Sequence, residues 1–124
     1  MTERLVALTG GTGFLGGHVA AALAAAGWRV RRLVRAPHPL AAGDVRGDLD
    51  DAAALDALVS GADVVVHLAG LVKAVADRDF FRVNRDGARA LARAIGRTEP
   101  RPRLVAVSSL AAREPALSIY GNTK

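Results

Sequence analysis

Two residues suited to acid–base chemistry stand at the end of the 124-residue sequence, where Tyr120 and Lys124 are separated by three residues. On a helix, residues four apart share one face, so the lysine ammonium would lie near the tyrosine phenol. A neighbouring positive charge favours the phenolate and lowers the tyrosine pKa towards a working pH. A Tyr-x-x-x-Lys pattern arises often by chance, so its meaning depends on the segments that precede it.

A second candidate site is the glycine-rich segment TGGTGFLG at residues 9–16. Gly10 permits a tight turn off a strand, Gly13 lets the backbone approach a pyrophosphate, and Gly16 lets a helix pack closely on the sheet. The free N–H groups of the first helical turn, at the positive end of the helix dipole, would hold the phosphates. The segment follows a predicted strand and opens a predicted helix, which favours a dinucleotide site over a plain glycine-rich turn. The residues assigned to this site are Gly10, Thr12, Gly13, Phe14, Leu15 and Gly16.

Hydrophobic periodicity predicts the elements that position these segments. Short aliphatic runs predict strands over residues 4–9, 29–34, 63–68 and 103–107, with a weak candidate over 44–47. Helical spacing predicts helices over residues 14–26 and 52–59, and a long amphipathic helix from Asp79 to Arg97. Strands alternating with helices imply an α/β fold with a parallel sheet covered on both faces. Right-handed crossovers give the strand order 3-2-1-4-5 of a doubly wound Rossmann fold, forming one domain over residues 1–124.

Composition excludes several classes of protein. The chain has no cysteine, so disulfides, thiolate nucleophiles and cysteine metal sites are absent. His18 and His38 have no partner at ligand spacing, so we expect no metal site. The net charge is +5, but the arginines are spread along the chain. They predict solvated helix faces and a site for a phosphorylated cofactor rather than a nucleic-acid surface. With no secretory signal at the start and no apolar run of about 18 residues, we expect a cytoplasmic protein without a membrane span.

These motifs together resemble the extended and atypical short-chain dehydrogenase/reductases, the group that includes NAD-dependent epimerases and dehydratases. The resemblance rests on TGGTGFLG, on His67-Leu68-Ala69-Gly70, on the SSLAA segment from Ser108, and on Tyr120 with Lys124. It covers the whole chain and corresponds to the N-terminal portion of such enzymes. The resemblance implies that Tyr120 is the general acid/base, that Lys124 tunes it and holds the nicotinamide ribose, and that Ser109, rather than Ser108, orients the substrate oxygen.

The second predicted strand ends in Leu33-Val34-Arg35 and carries no acid to bind a ribose 2′-OH. A guanidinium there would pair with a 2′-phosphate. Arg35 is the first choice, and Arg31 or Arg32 could assist, depending on register. The alternative is that these are surface arginines at a strand end. The sequence therefore predicts NADP(H) as the preferred cofactor, with NAD(H) possible.

The resemblance also implies contacts to the rest of the cofactor. Asp48 would bond the adenine amino group and Leu49 would pack on the ring, although Asp48 could instead cap the following helix. The segment Leu68, Ala69 and Gly70 would pass close to a cofactor ribose. His67 is interpreted as a structural, hydrogen-bonded histidine rather than a base. Asn84 should be hydrogen-bonded on its apolar helix face, bracing the loops near the active site.

Two functional hypotheses follow. In the first, the protein is an oxidoreductase, epimerase or dehydratase that acts on a hydroxyl or ketone substrate by hydride transfer. In the second, it is a non-catalytic NADP(H)-binding module, such as a redox sensor or an accessory subunit. Members of the family continue beyond Lys124 with further strands and a substrate domain, so we expect this chain, truncated after strand five, to be inactive by itself. The resemblance also implies the helix from Asp79 to Arg97 as the candidate surface for a homodimer.

Overall fold

The computed structural model describes residues 3–69 and 81–107. The strands are β1 (Leu5–Thr9), β2 (Arg29–Val34), β3 (Val45–Arg46), β4 (Val64–His67) and β5 (Arg103–Ala106). The helices are α1 (Phe14–Ala25), α2 (Ala52–Val59) and α3 (Gly87–Gly96), the last preceded by a π-helical segment (Phe81–Asp86). Within the described ranges, no helix is long and apolar enough to cross a membrane.

The strands form one parallel sheet in the order β3-β2-β1-β4-β5, which confirms the predicted doubly wound arrangement. From β1 the chain builds outward to β2 and β3, then returns to the other side of β1 with β4 and β5. The strand order reverses between β1 and β4, and ligands of such sheets bind beyond the carboxyl ends of the strands at this point. The topology therefore places the ends of β1 and β4 at the expected binding edge.

The main apolar core lies between one face of the sheet and the helices α2 and α3. Its fully buried members include Ala7, Leu55, Leu58, Val59, Val65 and Ala94. Val6 and Leu8 of β1 face the opposite side and are also buried. A central parallel strand is covered on both faces, which is why β1 is a continuous aliphatic run rather than an alternating one.

The helix predicted from Asp79 to Arg97 is not one continuous α-helix. Phe81–Asp86 is π-helical and only Gly87–Gly96 is α-helical. A π-helical turn bonds each residue to the fifth one along rather than the fourth, which periodicity in a sequence does not reveal. The predicted apolar face is otherwise confirmed, with buried Asn84, Gly87, Leu91 and Ile95. The homodimer through this helix stays a prediction.

The prediction that β5 is a buried strand is wrong for the described residues. Leu104 and Val105 are 41% and 46% exposed. The reason is that β5 packs beside β4 and the described helices do not cover its two faces. An aliphatic run has the same appearance in sequence whether or not another layer covers it.

Candidate functional site

A cavity of about 380 Å³ opens at the carboxyl edge of the sheet, where β1, β2 and β4 end and α1 begins. The residues that line it are Thr9, Gly10, Thr12, Gly13, Phe14, Leu15, Gly16, Leu33, Arg35, Asp48, Leu49, Leu68 and Ala69. Every cofactor-binding residue predicted within the described ranges is in this set. Four segments far apart in sequence thus meet around one space, as the sheet topology requires.

Gly70, Ser109, Tyr120 and Lys124, the other predicted site residues, lie outside the described residues. Their roles stay predictions. The turns after β1, β2, β3 and β4 form the part of the site that the structure describes.

The turn after β1 touches the turn after β4 at Gly10. This residue has a φ of +74°, in the region that favours glycine. A Cβ at Gly10 would come within 2.8 Å of the Ala69 backbone nitrogen and 2.9 Å of the Leu68 carbonyl carbon. Any other residue would therefore push the two turns apart and open the inner wall of the cavity.

The start of α1 presents bare backbone to the cavity. Gly13 is the N-cap residue, and no side chain caps the helix there. The Gly13 N–H donates to the Gly10 carbonyl at 3.1 Å, which closes the turn. A Cβ on Gly16 would collide with the same carbonyl oxygen, so only glycine lets the helix start this close to the strand. The N–H groups of this first turn have no helical acceptor and are suited to holding an anion.

Thr9 lines the cavity, although its side chain had no predicted role. Its side chain is fully buried, and its hydroxyl oxygen accepts hydrogen bonds from the amides of Leu68 and Ala69 at 3.1 and 3.2 Å. The same oxygen lies 2.6 Å from Nδ1 of His67. With both lone pairs engaged by these amides, the Thr9 hydroxyl is left to donate its proton to Nδ1 of His67. The signal in the sequence was a hydroxyl residue at the last strand position before the glycine turn.

His67 therefore has the structural role that was predicted. It is 6% exposed and is hydrogen-bonded to Thr9 across the β1–β4 pair. The bonds from Thr9 tie together the strand ends from which the glycine-rich turn and the Leu68–Ala69 segment depart. The cavity wall is thereby held by side-chain bonds as well as by the sheet.

At the other side of the cavity, Arg35 and Asp48 face each other. Arg35 Nη1 is 4.0 Å from Asp48 Oδ2, and the side chains are 62% and 36% exposed. A contact this long and this exposed contributes little stability. Arg35 is therefore a solvated cation at the cavity rim, and an arriving phosphate would lose little by displacing Asp48.

Asp48 does not cap α2. The capping carboxylate is Asp51, which accepts the Ala54 amide at 3.1 Å. Asp48 instead accepts the amide of Leu49 through Oδ1, at 2.7 Å, and lines the cavity. The alternative prediction that Asp48 caps α2 is thus wrong, because the capping position is three residues further along the chain, at Asp51.

Leu49 forms an apolar part of the cavity floor and is itself 6% exposed. Gly87, at the start of α3, makes this position possible. A Cβ on Gly87 would approach Leu49 Cδ1 to 2.7 Å. Close packing of α3 on Leu49 therefore links the start of this helix to the cavity. The role of Asn84 in bracing the loops near the active site stays a prediction.

Arg31 and Arg32 do not line the cavity, in contrast to Arg35. Arg31 donates to the carbonyl oxygens of Ala57, Leu58 and Ser60, at 3.2, 3.0 and 2.7 Å. These carbonyls are at the carboxyl end of α2, where a helix needs donors and favours a cation. The suggestion that Arg31 assists in binding a 2′-phosphate is therefore not supported.

Arg32 is held by Asp44, with Nε–Oδ1 and Nη2–Oδ2 distances of 3.1 and 2.6 Å. Burial raises the pKa of the Asp44 carboxyl, but hydrogen bonds from Arg32 and from the Ala41 amide outweigh burial and hold that pKa below its usual range. The hydrogen bond to Asp44 in turn raises the pKa of Arg32. Both groups are charged and paired, so Arg32 is not a free phosphate ligand.

The lining fits a dinucleotide in its chemistry. Backbone amides at a helix start suit a pyrophosphate, and a solvated guanidinium suits a further phosphate. Leu33 and Leu49 provide apolar contact for a flat ring, beside the acceptor oxygens of Asp48. Phe14, 88% exposed, is an apolar side chain left in solvent at the mouth.

Comparison with known proteins agrees with this geometry. The sequence pattern of the NAD dependent epimerase/dehydratase family matches residues 6–121. The chain is 52% identical to ceramide reductase of Caulobacter vibrioides, over 97% of the chain and 39% of that protein. It is 32% identical to the ketoreductase sphI of Aspergillus fumigatus, over 93% of the chain and 38% of that protein. The chain thus spans about two fifths of the length of these curated relatives.

Among solved structures, the chain resembles a short-chain dehydrogenase/reductase superfamily protein from Agrobacterium tumefaciens that contains bound NAD. The TM-score is 0.79 at 30% sequence identity, over 98% of this chain and 42% of the other. The fold is therefore shared with a longer protein that contains bound NAD.

Proposed function

The chain belongs to the NAD dependent epimerase/dehydratase family, and we propose that it forms the dinucleotide-binding part of a carbonyl reductase that prefers NADP(H) to NAD(H). One observation carries the proposal. The glycine-rich turn, the end of β2, the Asp48–Leu49 pair and the end of β4 line a single cavity at the carboxyl edge of the sheet.

In this proposal the first-turn amides after Gly13 hold the pyrophosphate. Asp48 accepts the adenine amino group, and Leu49 packs against the ring. The bound dinucleotide would supply the hydride for the reaction. The protein's own part is to orient it, and the contact between Gly10 and Ala69 keeps the cavity wall narrow for this purpose.

The preference for NADP(H) is inferred from Arg35. Among the arginines in β2 and directly after it, Arg35 is the one that lines the cavity. Its contact with Asp48 is long and exposed to solvent. A 2′-phosphate would form charge-assisted hydrogen bonds with the guanidinium. No acid directly follows β2 to select a ribose 2′-OH, since the next two residues are Arg35 and Ala36.

For catalysis we assign Ser109, Tyr120 and Lys124, as the family resemblance implies. Ser109 would bond the substrate oxygen, and Tyr120 would give that oxygen its proton as the carbonyl carbon receives hydride. Lys124 would lower the pKa of Tyr120. The names of the two curated relatives support a carbonyl group on a ceramide-like lipid as the first substrate to test.

The cofactor assignment is tested with Arg35→Ser and the matched control Arg29→Ser in the full-length protein. Arg29 is the first residue of β2 and Arg35 directly follows the strand, and each makes one 4.0 Å ion pair with its own side chain about 60% exposed. We expect Arg35→Ser to weaken NADPH binding roughly tenfold or more while NADH binding changes little, because a hydrogen bond to a charged group contributes ~1.5–3 kcal/mol. Arg29→Ser should change neither dissociation constant. Equal effects of both variants, or no NADPH binding by the unchanged protein, would contradict the proposal.

The catalytic assignment is tested with Tyr120→Phe in the full-length protein, using NADPH oxidation with a keto-ceramide-like substrate. We expect turnover to fall by at least about a hundredfold, the usual contribution of a positioned acid, with little change in cofactor affinity. A protein that binds NADPH but shows no turnover even with Tyr120 intact would instead be the non-catalytic binding module.

A further inference from the structure

A partly buried ion pair lies beside the cavity without lining it. The Asp44 side chain is 2% exposed and that of Arg32 is 23% exposed. The two nitrogen–oxygen contacts, at 3.1 and 2.6 Å, make the pair bidentate. This geometry fixes the orientation of both side chains, unlike the long contacts made by the exposed arginines at either end of β2.

The stem of Arg32 packs under the glycine-rich turn. A Cβ at Gly11 would lie 2.9 Å from Cδ and 3.2 Å from Cγ of Arg32. Gly11 is buried and carries no side chain that would displace this stem. One arginine therefore contacts the turn that would hold the pyrophosphate and, through Asp44, the loop that follows β2.

That loop, residues 36–43, is exposed at every position and begins beside Arg35. Its position depends on a few bonds. Asp44 Oδ2 accepts the Ala41 amide at 2.7 Å, and Arg46 Nη1 donates to the His38 carbonyl at 2.7 Å. The His38 amide in turn donates to the Arg35 carbonyl at 3.1 Å. The loop that borders Arg35 is thus anchored at its far end by the Arg32–Asp44 pair.

We propose that Arg32 and Asp44 are positioning residues for cofactor specificity: they hold the loop after β2 against the glycine-rich turn, and so place Arg35 to bind a 2′-phosphate. The proposal rests on the function proposed above. Bidentate recognition of a phosphate requires a guanidinium held in place by its surroundings. Because NADH has no 2′-phosphate, releasing the loop affects NADPH and leaves the pyrophosphate contacts of both cofactors intact.

The test is the double variant Arg32→Met/Asp44→Asn in the full-length protein, titrated with NADPH and with NADH. Methionine keeps an aliphatic stem under Gly11, and removing both charges leaves the local net charge unchanged and no buried ion unpaired. We expect the NADPH:NADH affinity ratio to fall about tenfold, within the range of coupling between sites. The matched control is Arg97→Met/Asp56→Asn, which removes a 2.7 Å ion pair away from the cavity and should leave the ratio unchanged.

A double-mutant cycle separates this role from a general structural one. In an Arg35→Ser background, the Arg32→Met/Asp44→Asn change should no longer alter the ratio, because Arg35 transmits its effect. An equal loss of NADPH and NADH affinity, or an unchanged ratio, overturns the inference. If Arg35→Ser lowers the ratio and the Arg32/Asp44 variant does not, this inference fails alone. If neither cofactor binds the unchanged protein, the proposed function fails.

Discussion

At the scale of single residues, glycines of the same segment have different physical tasks. Gly10 is required by its positive φ and by the closeness of Ala69. Gly13 has a φ of −79°, which any residue adopts, and a Cβ there would be 3.4 Å from the Gly10 carbonyl oxygen. Gly17, on the next turn of α1, would have nothing within 4 Å of an added Cβ. Substitutions at these glycines can therefore separate an effect on folding from an effect on ligand binding.

We predict that Gly13→Val reduces the affinity for NADPH and NADH alike, by about tenfold or more, because its side chain occupies the space next to the pyrophosphate amides. The protein should remain folded, since the backbone there is unstrained. Gly17→Ala is the control, and it should stabilise α1 by ~0.5–1 kcal/mol without changing affinity. Titration with each cofactor, with thermal unfolding measured alongside, checks both statements. Unchanged binding by Gly13→Val would place the phosphates elsewhere.

At the scale of elements, β2 is a strand whose two faces serve different parts of the fold. Arg31 and Leu33 face α2, where Arg31 supplies the donors that the carboxyl end of this helix lacks. Arg32 faces the other side and meets Asp44. The alternation of a strand thus divides consecutive arginines between a helix cap and a loop anchor.

We expect Arg31→Met to lower the free energy of unfolding by ~1–2 kcal/mol, because the last carbonyls of α2 lose their charged donor. The cofactor dissociation constants should stay the same, since Arg31 does not line the cavity. Arg29 is on the same strand and has only a 4.0 Å contact to Glu3. Arg29→Met should therefore lower the free energy of unfolding by less than about 1 kcal/mol. Chemical denaturation of the three proteins provides the comparison. A selective loss of NADPH binding in Arg31→Met would restore Arg31 as a phosphate ligand.

At the scale of the whole molecule, the cavity is assembled by four segments that depart from different strands. A ligand that contacts all of them binds the folded state and not the unfolded chain. Binding of this kind raises stability in proportion to the logarithm of ligand concentration.

We predict that NADPH at about a hundred times its dissociation constant raises the free energy of unfolding by ~2.7 kcal/mol. The Tm should keep rising with concentration beyond that point, and the rise with NADPH should be smaller in Arg35→Ser. Thermal scans over a concentration series measure this. A Tm that does not respond to either cofactor would contradict dinucleotide binding by the folded protein.

Much of the fold and of the cavity could be predicted from local patterns in the sequence. The bounds of β2 and α2 were predicted correctly, because strand and helix periods differ and both segments end at clear turn residues. All lining residues of the cavity except Thr9 and Leu33 were predicted, because motif order along a doubly wound sheet determines which turns meet. The catalytic residues Ser109, Tyr120 and Lys124 stay predictions.

Only the tertiary structure decided which of several similar side chains takes each role. Asp51 rather than Asp48 caps α2, and among three nearby arginines Arg35 alone lines the described cavity. Composition and spacing do not distinguish these residues, because the partners of Arg32 and Arg31 lie 12 and up to 29 residues away. The capping residue of α2 likewise depends on where the helix starts, and the capping position is three residues after Asp48. The pairing register of the strands and the packing of the helices set the direction of each side chain. Both exist only once the sheet has formed.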